Sequence, residues 1–250
     1  MFYVVMRYTT RYTDRLPLLT ACATVLGLAG GAAAWVLLHL IGLITSLALF
    51  HTWSWHPPST AELHPGPWLV VAAAAGGLVV SLLAKWAPVI RGHGIPEAME
   101  AVLVRQSRIQ PRTAVAKPVS AAVAIGTGGP FGAEGPIIVT GGSLGSLLGQ
   151  VLHVSASERK ILLAAGAAAG MAATFGAPLA SVVLAIELLL FEFSARAFLP
   201  LVVAASVAAG VHHAVLGAGR CSRPRPRTSP GSASCRCSRP SASAAGCWRS

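Results

Sequence analysis

Apolar residues along this chain run on rather than alternate. From Leu16 to Phe50 no charged residue interrupts the sequence. That run is too long for a signal-peptide core. As one helix it would reach about 50 Å, which predicts either a steep tilt or a break near Gly30–Gly31 or Gly42. The segment 51–67 has no Lys or Arg but carries Trp53, Trp55 and several prolines, as in an interfacial loop. Trp68–Ala87 reads as a second span. Gly92–Val104 is apolar but shorter than the ~20 residues a crossing helix needs. Residues 105–117 hold Arg105, Arg108, Arg112 and Lys117 and read as a basic cytoplasmic loop. Pro118–Ile125 and Pro136–Val151 flank a glycine cluster, and residues 155–160 form a polar turn. Ile161–Phe175, Gly176–Phe193 and Ala195–Leu216 complete the apolar pattern. It stops after Gly219.

This layout divides the chain into a cytoplasmic N-terminus (1–15), a membrane region (16–217) and a tail (218–250). The tail has no periodicity and too little aliphatic content to order itself. Its Arg, Ser, Pro, Cys and Ala bias resembles a GC-rich coding region read in the wrong frame. That reading is preferred to a disordered basic tail drawn to anionic lipid.

Composition narrows the class. The chain is 54% hydrophobic and only 11% charged, against about 25% charged in a soluble domain. With no strand-like alternation, the expectation is an all-α, multi-pass integral protein of the plasma or inner membrane, in contact with the lipid bilayer. Arg7, Arg11 and Arg15 ahead of the first run place the N-terminus in the cytoplasm. The net charge of +11 does not point to nucleic acid, because seven of the 19 basic residues, and no acidic one, lie from Arg220 onward. Four of the five cysteines also lie there, in no zinc-type spacing, and no metal or cofactor is expected.

The candidate chemistry is concentrated in Gly126–Gln150, GTGGPFGAEGPIIVTGGSLGSLLGQ. Glu134 stands between glycine-rich backbone and an apolar helix opening at Pro136. An ionisable group among membrane spans is costly and marks a functional site. A helix N-terminus also favours negative charge, so a carboxylate and a free anion compete for this place. The alternative is that Glu134 is a capping carboxylate. Glycines at 126, 128, 129, 132 and 135 permit close backbone approach, which a cap does not require. Gly92–Glu97, GHGIPE, is a second helix-opening signature with free amides. Broken spans meeting at glycine-rich loops are how transporters aim half-helices at a midplane site. Glu187 lies in an apolar stretch as a structural carboxylate or part of a proton path, and Glu192 lies nearer a helix end. There is no HExxH, serine-nucleophile motif or aspartate pair, so the chain is not read as an enzyme.

GHGIPEAMEAV, GTGGPFGAEGPIIVTGG and AAGAAAGMAATFGAPLASVVLAIE, in this order and spacing, resemble the CLC-type family of chloride channels and proton/chloride antiporters over roughly residues 15–217. The resemblance implies the first half of an inverted-repeat chloride channel fold with broken or re-entrant helices. It implies a path for chloride or a similar small anion built from two helix starts. His93, Gly94 and Ile95 match one start, and Ala133, Gly135 and Ile137 the other. Glu134 matches the gating glutamate, which leaves an outer anion site when protonated or displaced. A homodimer through helices matching about Leu179–Leu216, or pairing with a full-length relative, is also implied.

Four departures stand against the family pattern. His93 replaces the usual Ser, whose hydroxyl binds the anion, and Ala133 replaces the common Arg. Leu188 stands where antiporter members often carry the inner proton-transfer glutamate, leaving Glu187 as its possible substitute. No GxFxP-type motif follows residue 200, and the three tyrosines are Tyr3, Tyr8 and Tyr12. The chain therefore reads as the N-terminal half alone, truncated or frame-shifted, with channel and antiporter both open. A non-conducting protein that associates with an intact relative is the alternative function.

Overall fold

The computed structural model of the chain describes residues 15–53, 66–91, 94–191 and 194–215. Residues 1–14, most of the proline-rich loop, His93, Glu192 and the whole 218–250 tail lie outside the described residues. The described residues form helices α1 (Leu16–Leu49), α2 (Pro67–Trp86), α3 (Gly94–Leu103), α4 (Pro111–Gly126), α5 (Glu134–Val151), α6 (Ala156–Phe175), α7 (Pro178–Ala185) and α8 (Ala195–Val215). A short turn, Pro88–Arg91, precedes α3, and a wide π-helical turn, Ile186–Leu190, extends α7.

The centre is α6, buried continuously from Ile161 to Ala173. It packs against α5, α8, α1 and α7. Side chains this small let backbones approach closely, which supplies dispersion contact where apolar solvent offers no hydrophobic drive. The α5–α6 seam shows how close. A Cβ on Gly145 would overlap the Leu162 carbonyl, and one on Gly166 the Gly141 carbonyl. The start of α6 is fixed by a capping box: the Ser155 hydroxyl accepts from the Glu158 amide, and the Glu158 carboxylate accepts from the Ser155 amide. Its end is Gly176, at φ 65°, whose N–H donates to Ala172 O.

Helix α1 does not break at its glycines. It is continuous over 34 residues, with buried Leu19, Cys22, Ala23, Leu26, Gly27, Gly30, Gly31, Ala34 and Leu37 on one helical face. The glycines are contact points. A Cβ on Gly27 would meet Ala204 O of α8 at 2.8 Å, and one on Gly30 the Ala169 methyl of α6 at 2.9 Å. The opposite face exposes Val25, Leu28, Val36 and Leu47. Helices α1, α2 and the Arg196–Val215 part of α8 are long and apolar enough to cross a membrane. Helix α2 buries only Ala72 and Gly76.

Two boundaries differ from the sequence expectation. The basic stretch 105–117 is not all loop: α4 begins at Pro111, and Lys117 is buried inside it, with Pro118 in mid-helix. The cost of burying that ammonium is offset by the Glu97 carboxylate of α3, with which it pairs. The polar turn at 155–160 is instead the cap and first turn of α6, because Ser155 and Glu158 satisfy its start.

Candidate anion site

Two helix starts meet. A Cβ placed on Gly94, the first residue of α3, would lie 2.5 Å from the Gly135 carbonyl carbon and 2.7 Å from its oxygen, at the second residue of α5. Only glycine permits this approach. The two starts have the same local design, Gly94-Ile95-Pro96 and Glu134-Gly135-Pro136. Proline at the third helical position has no N–H to satisfy, and the two amides before it have no helical acceptor. The contact therefore brings together two helix starts, each carrying the positive end of its helix dipole.

A cavity of about 590 Å³ opens beside this contact, between α2, α4 and the two starts. Its lining includes Gly94, Gly135, Pro136, Ser81, Ser120 and Lys117. In the sequence alone, Lys117 reads as part of the basic loop 105–117. Its side chain is 5% exposed, and its Nζ lies 2.5 Å from Glu97 Oε2 on the first turn of α3 and 3.4 Å from Ile90 O. The signal lay in the helical stripe Thr113, Lys117, Ser120, Ala121, all buried, which a helix starting at Pro111 generates.

The expected site residues fall as follows. Gly94, Ile95 and Gly135 are half-buried at the two starts. Ala133 is the residue preceding α5, and its carbonyl accepts from the Ile137 amide at 3.1 Å. The Ile137 amide is therefore engaged inside the helix, and its side chain is fully buried. His93 lies outside the described residues. Glu134 is exposed, forms no side-chain cap and has no hydrogen bond or ion pair among the described residues. Glu187 is exposed on the π-helical turn and does not line the cavity. That turn is tied to α6 by Lys160 Nζ, which donates to Leu190 O at 2.7 Å.

This arrangement stands beside a match of residues 69–233 to the family model described as voltage gated chloride channel. The chain belongs to that family. A putative chloride channel protein ClcB-like of Ralstonia nicotianae is 32% identical over 57% of this chain and 35% of its own length. The H(+)/Cl(-) exchange transporter ClcA of Cronobacter sakazakii is 35% identical over 67% of this chain and 35% of its own. Among solved structures, a slow cyanobacterial Cl-/H+ antiporter aligns with a TM-score of 0.60 at 30% identity, covering 78% of this chain and 46% of that one. A eukaryotic CLC transporter aligns with a TM-score of 0.65 at 22% identity, over 84% and 40%, and bears on the fold alone. The chain thus spans about a third of the length of these curated relatives. The described residues are helical without a strand, and membership in the family places the chain among integral membrane proteins.

Proposed function

We propose that this chain contributes to the transmembrane passage of chloride or a similar small anion, at the place where α3 and α5 begin. The observation that carries the reading is the Gly94–Gly135 contact, which brings two helix starts together beside a cavity lined by Lys117. A dehydrated anion needs several donors at once, and helix starts supply them without further reorganisation.

Glu134 is the gate. Its carboxylate stands on the first residue of α5 and carries no cap bond or ion pair among the described residues, so it is unrestrained by protein partners. Ionised, it occupies the site that favours negative charge. Protonated or displaced by an anion, it leaves. Passage is by electrodiffusion or in exchange for protons, and Glu187 is the candidate proton carrier on the other side. The relatives named as exchange transporters support the second mode. Arg15, Lys85 and Arg105 lie at helix ends and, by the excess of basic residues on cytoplasmic loops, set the N-terminus inside.

The experiment is anion efflux from liposomes carrying the full chain, with simultaneous proton uptake. Glu134→Ala is expected to keep anion flux while losing its pH dependence and any proton coupling. Loss of all flux in a folded Glu134→Ala protein would overturn the gate assignment. Proton uptake in step with chloride efflux distinguishes exchange from a channel.

A second reading is a non-conducting chain that pairs with an intact relative or with its own copy. It is favoured by the exposed apolar residues Leu179, Val183 and Leu184 on α7 and Phe198 and Leu199 on α8. Suppressed flux on co-expression with a full-length relative, with no flux from the chain alone, supports it.

A further inference from the structure

At the far end of α5 from Glu134, about 24 Å along the helix, two arginines share a pocket of about 370 Å³ lined by Arg108, Gln150, His153, Val154 and Arg159. Arg159, on the first turn of α6, is only 6% exposed. Its stem lies against Gly149, where a Cβ would come within 3.0 Å of Arg159 Cγ. Its Nε donates to Gln106 O at 3.0 Å. Among the described residues no carboxylate lies within salt-bridge distance of Arg108 or Arg159. The sequence neighbour Glu158 is committed elsewhere, accepting from the Ser155 amide and hydroxyl and pairing with Arg15 at 3.5 Å.

The backbone that carries Arg108 is held in place. It follows Gln106 and Ser107, both in the left-handed region at φ 50° and 60°. Backbone of that kind persists only where its surroundings hold it. Here Ser146 Oγ donates to Ser107 O at 2.6 Å and accepts from the Ile109 amide at 3.0 Å, while Gln150 Nε2 donates to Ile109 O at 3.2 Å. The frame thus fixes the backbone on both sides of Arg108, which lines the same pocket as Arg159. Burial first, and the Arg108 charge second, hold the Arg159 guanidinium below its ordinary range. Such a pair is stable when an anion completes it.

We propose that a phosphate-type oxyanion, either the headgroup of an anionic phospholipid or free phosphate, seats between Arg108 and Arg159 at a site separate from the α3–α5 path. The guanidinium fork offers parallel donors that match a tetrahedral oxyanion and are wasted on a spherical chloride. Basic pockets between membrane helices bind anionic headgroups.

The test uses the full chain, delipidated in detergent, with melting temperature and native mass spectrometry as readouts. The probes are inorganic phosphate, with ionic strength held constant by chloride, and mixed micelles containing phosphatidylglycerol or phosphatidylcholine. Phosphatidylglycerol or inorganic phosphate is expected to raise the melting temperature and be retained. A response to inorganic phosphate assigns a soluble ligand, and a response to phosphatidylglycerol alone assigns the headgroup. Arg108→Ala, at an exposed position, is expected to weaken retention at least tenfold. Arg108→Glu is expected to raise the melting temperature without any probe, by giving Arg159 its counter-charge, and to abolish the response. The proposal fails if neither probe is retained, if chloride acts as strongly as phosphate, or if Arg108→Ala binds like the parent.

Discussion

Gly94 and Gly135 are in backbone contact, with no side chain between the start of α3 and the start of α5. Gly94→Ala would drive a methyl into the Gly135 peptide, and neither helix start has a flexible side-chain end that can yield. Overpacking of this kind costs about 1–3 kcal/mol. The expected outcome is a lowered melting temperature together with altered anion affinity, read by thermal unfolding and by flux at varied chloride. An unchanged melting temperature would mean that the two starts do not touch.

Lys117 and Glu97 form an ion pair at 2.5 Å, with side chains 5% and 22% exposed. Removing Glu97 leaves the buried Lys117 ammonium without its counter-charge, a loss typically of about 3–5 kcal/mol, whereas Lys117→Met leaves a partly exposed carboxylate. Glu97→Gln is expected to destabilise more than Lys117→Met, and the double variant to lose less than their sum. A double-mutant cycle on thermal or denaturant unfolding measures the coupling. Additive losses would show that the two groups act separately.

Gly145 and Gly210 are both glycines in helix interiors, with opposite surroundings. A Cβ at 145 would strike the Leu162 backbone, whereas one at 210 would meet nothing within 4 Å. Gly145→Ala is expected to destabilise through the α5–α6 seam. Gly210→Ala is expected to stabilise by up to about 1 kcal/mol, the helix-propensity difference. The sign of the two melting-temperature shifts is the check.

Ser155 and Glu158 close the start of α6 on each other. Ser155→Ala is expected to cost about 1 kcal/mol. Since Glu158 also meets Arg15 at 3.5 Å, Glu158→Gln tests whether the cap or the exposed pair matters more. Ser155→Ala is expected to be the more damaging of the two in guanidinium-induced unfolding, because a pair with one exposed partner contributes little.

Much of the fold was legible because the cues are local. Long apolar runs mark α1 and α2, and proline near a helix start marks α3 and α5. The reading went astray where a neighbour decides. The glycines of α1 look like breaks in one dimension, and only the positions of Ala169 and Ala204 make them contacts. Lys117 looks like loop charge until Glu97, twenty residues earlier, is brought alongside it. The sequence points to an α5 start at Pro136, whereas the helix begins at Glu134, since proline marks the third residue here and not the first. The Arg108–Arg159 pocket had no sequence signal. It depends on two non-glycine residues adopting left-handed backbone and on hydrogen bonds from a helix about forty residues further along the chain.

Because no side chain separates the two helix starts, the width of the opening between their amides is a backbone dimension. Rotamer changes nearby cannot tune it, and drift at the surrounding apolar positions leaves it alone. On the proposed anion reading, a different preference comes from rigid displacement of a whole helix or from side chains outside this contact.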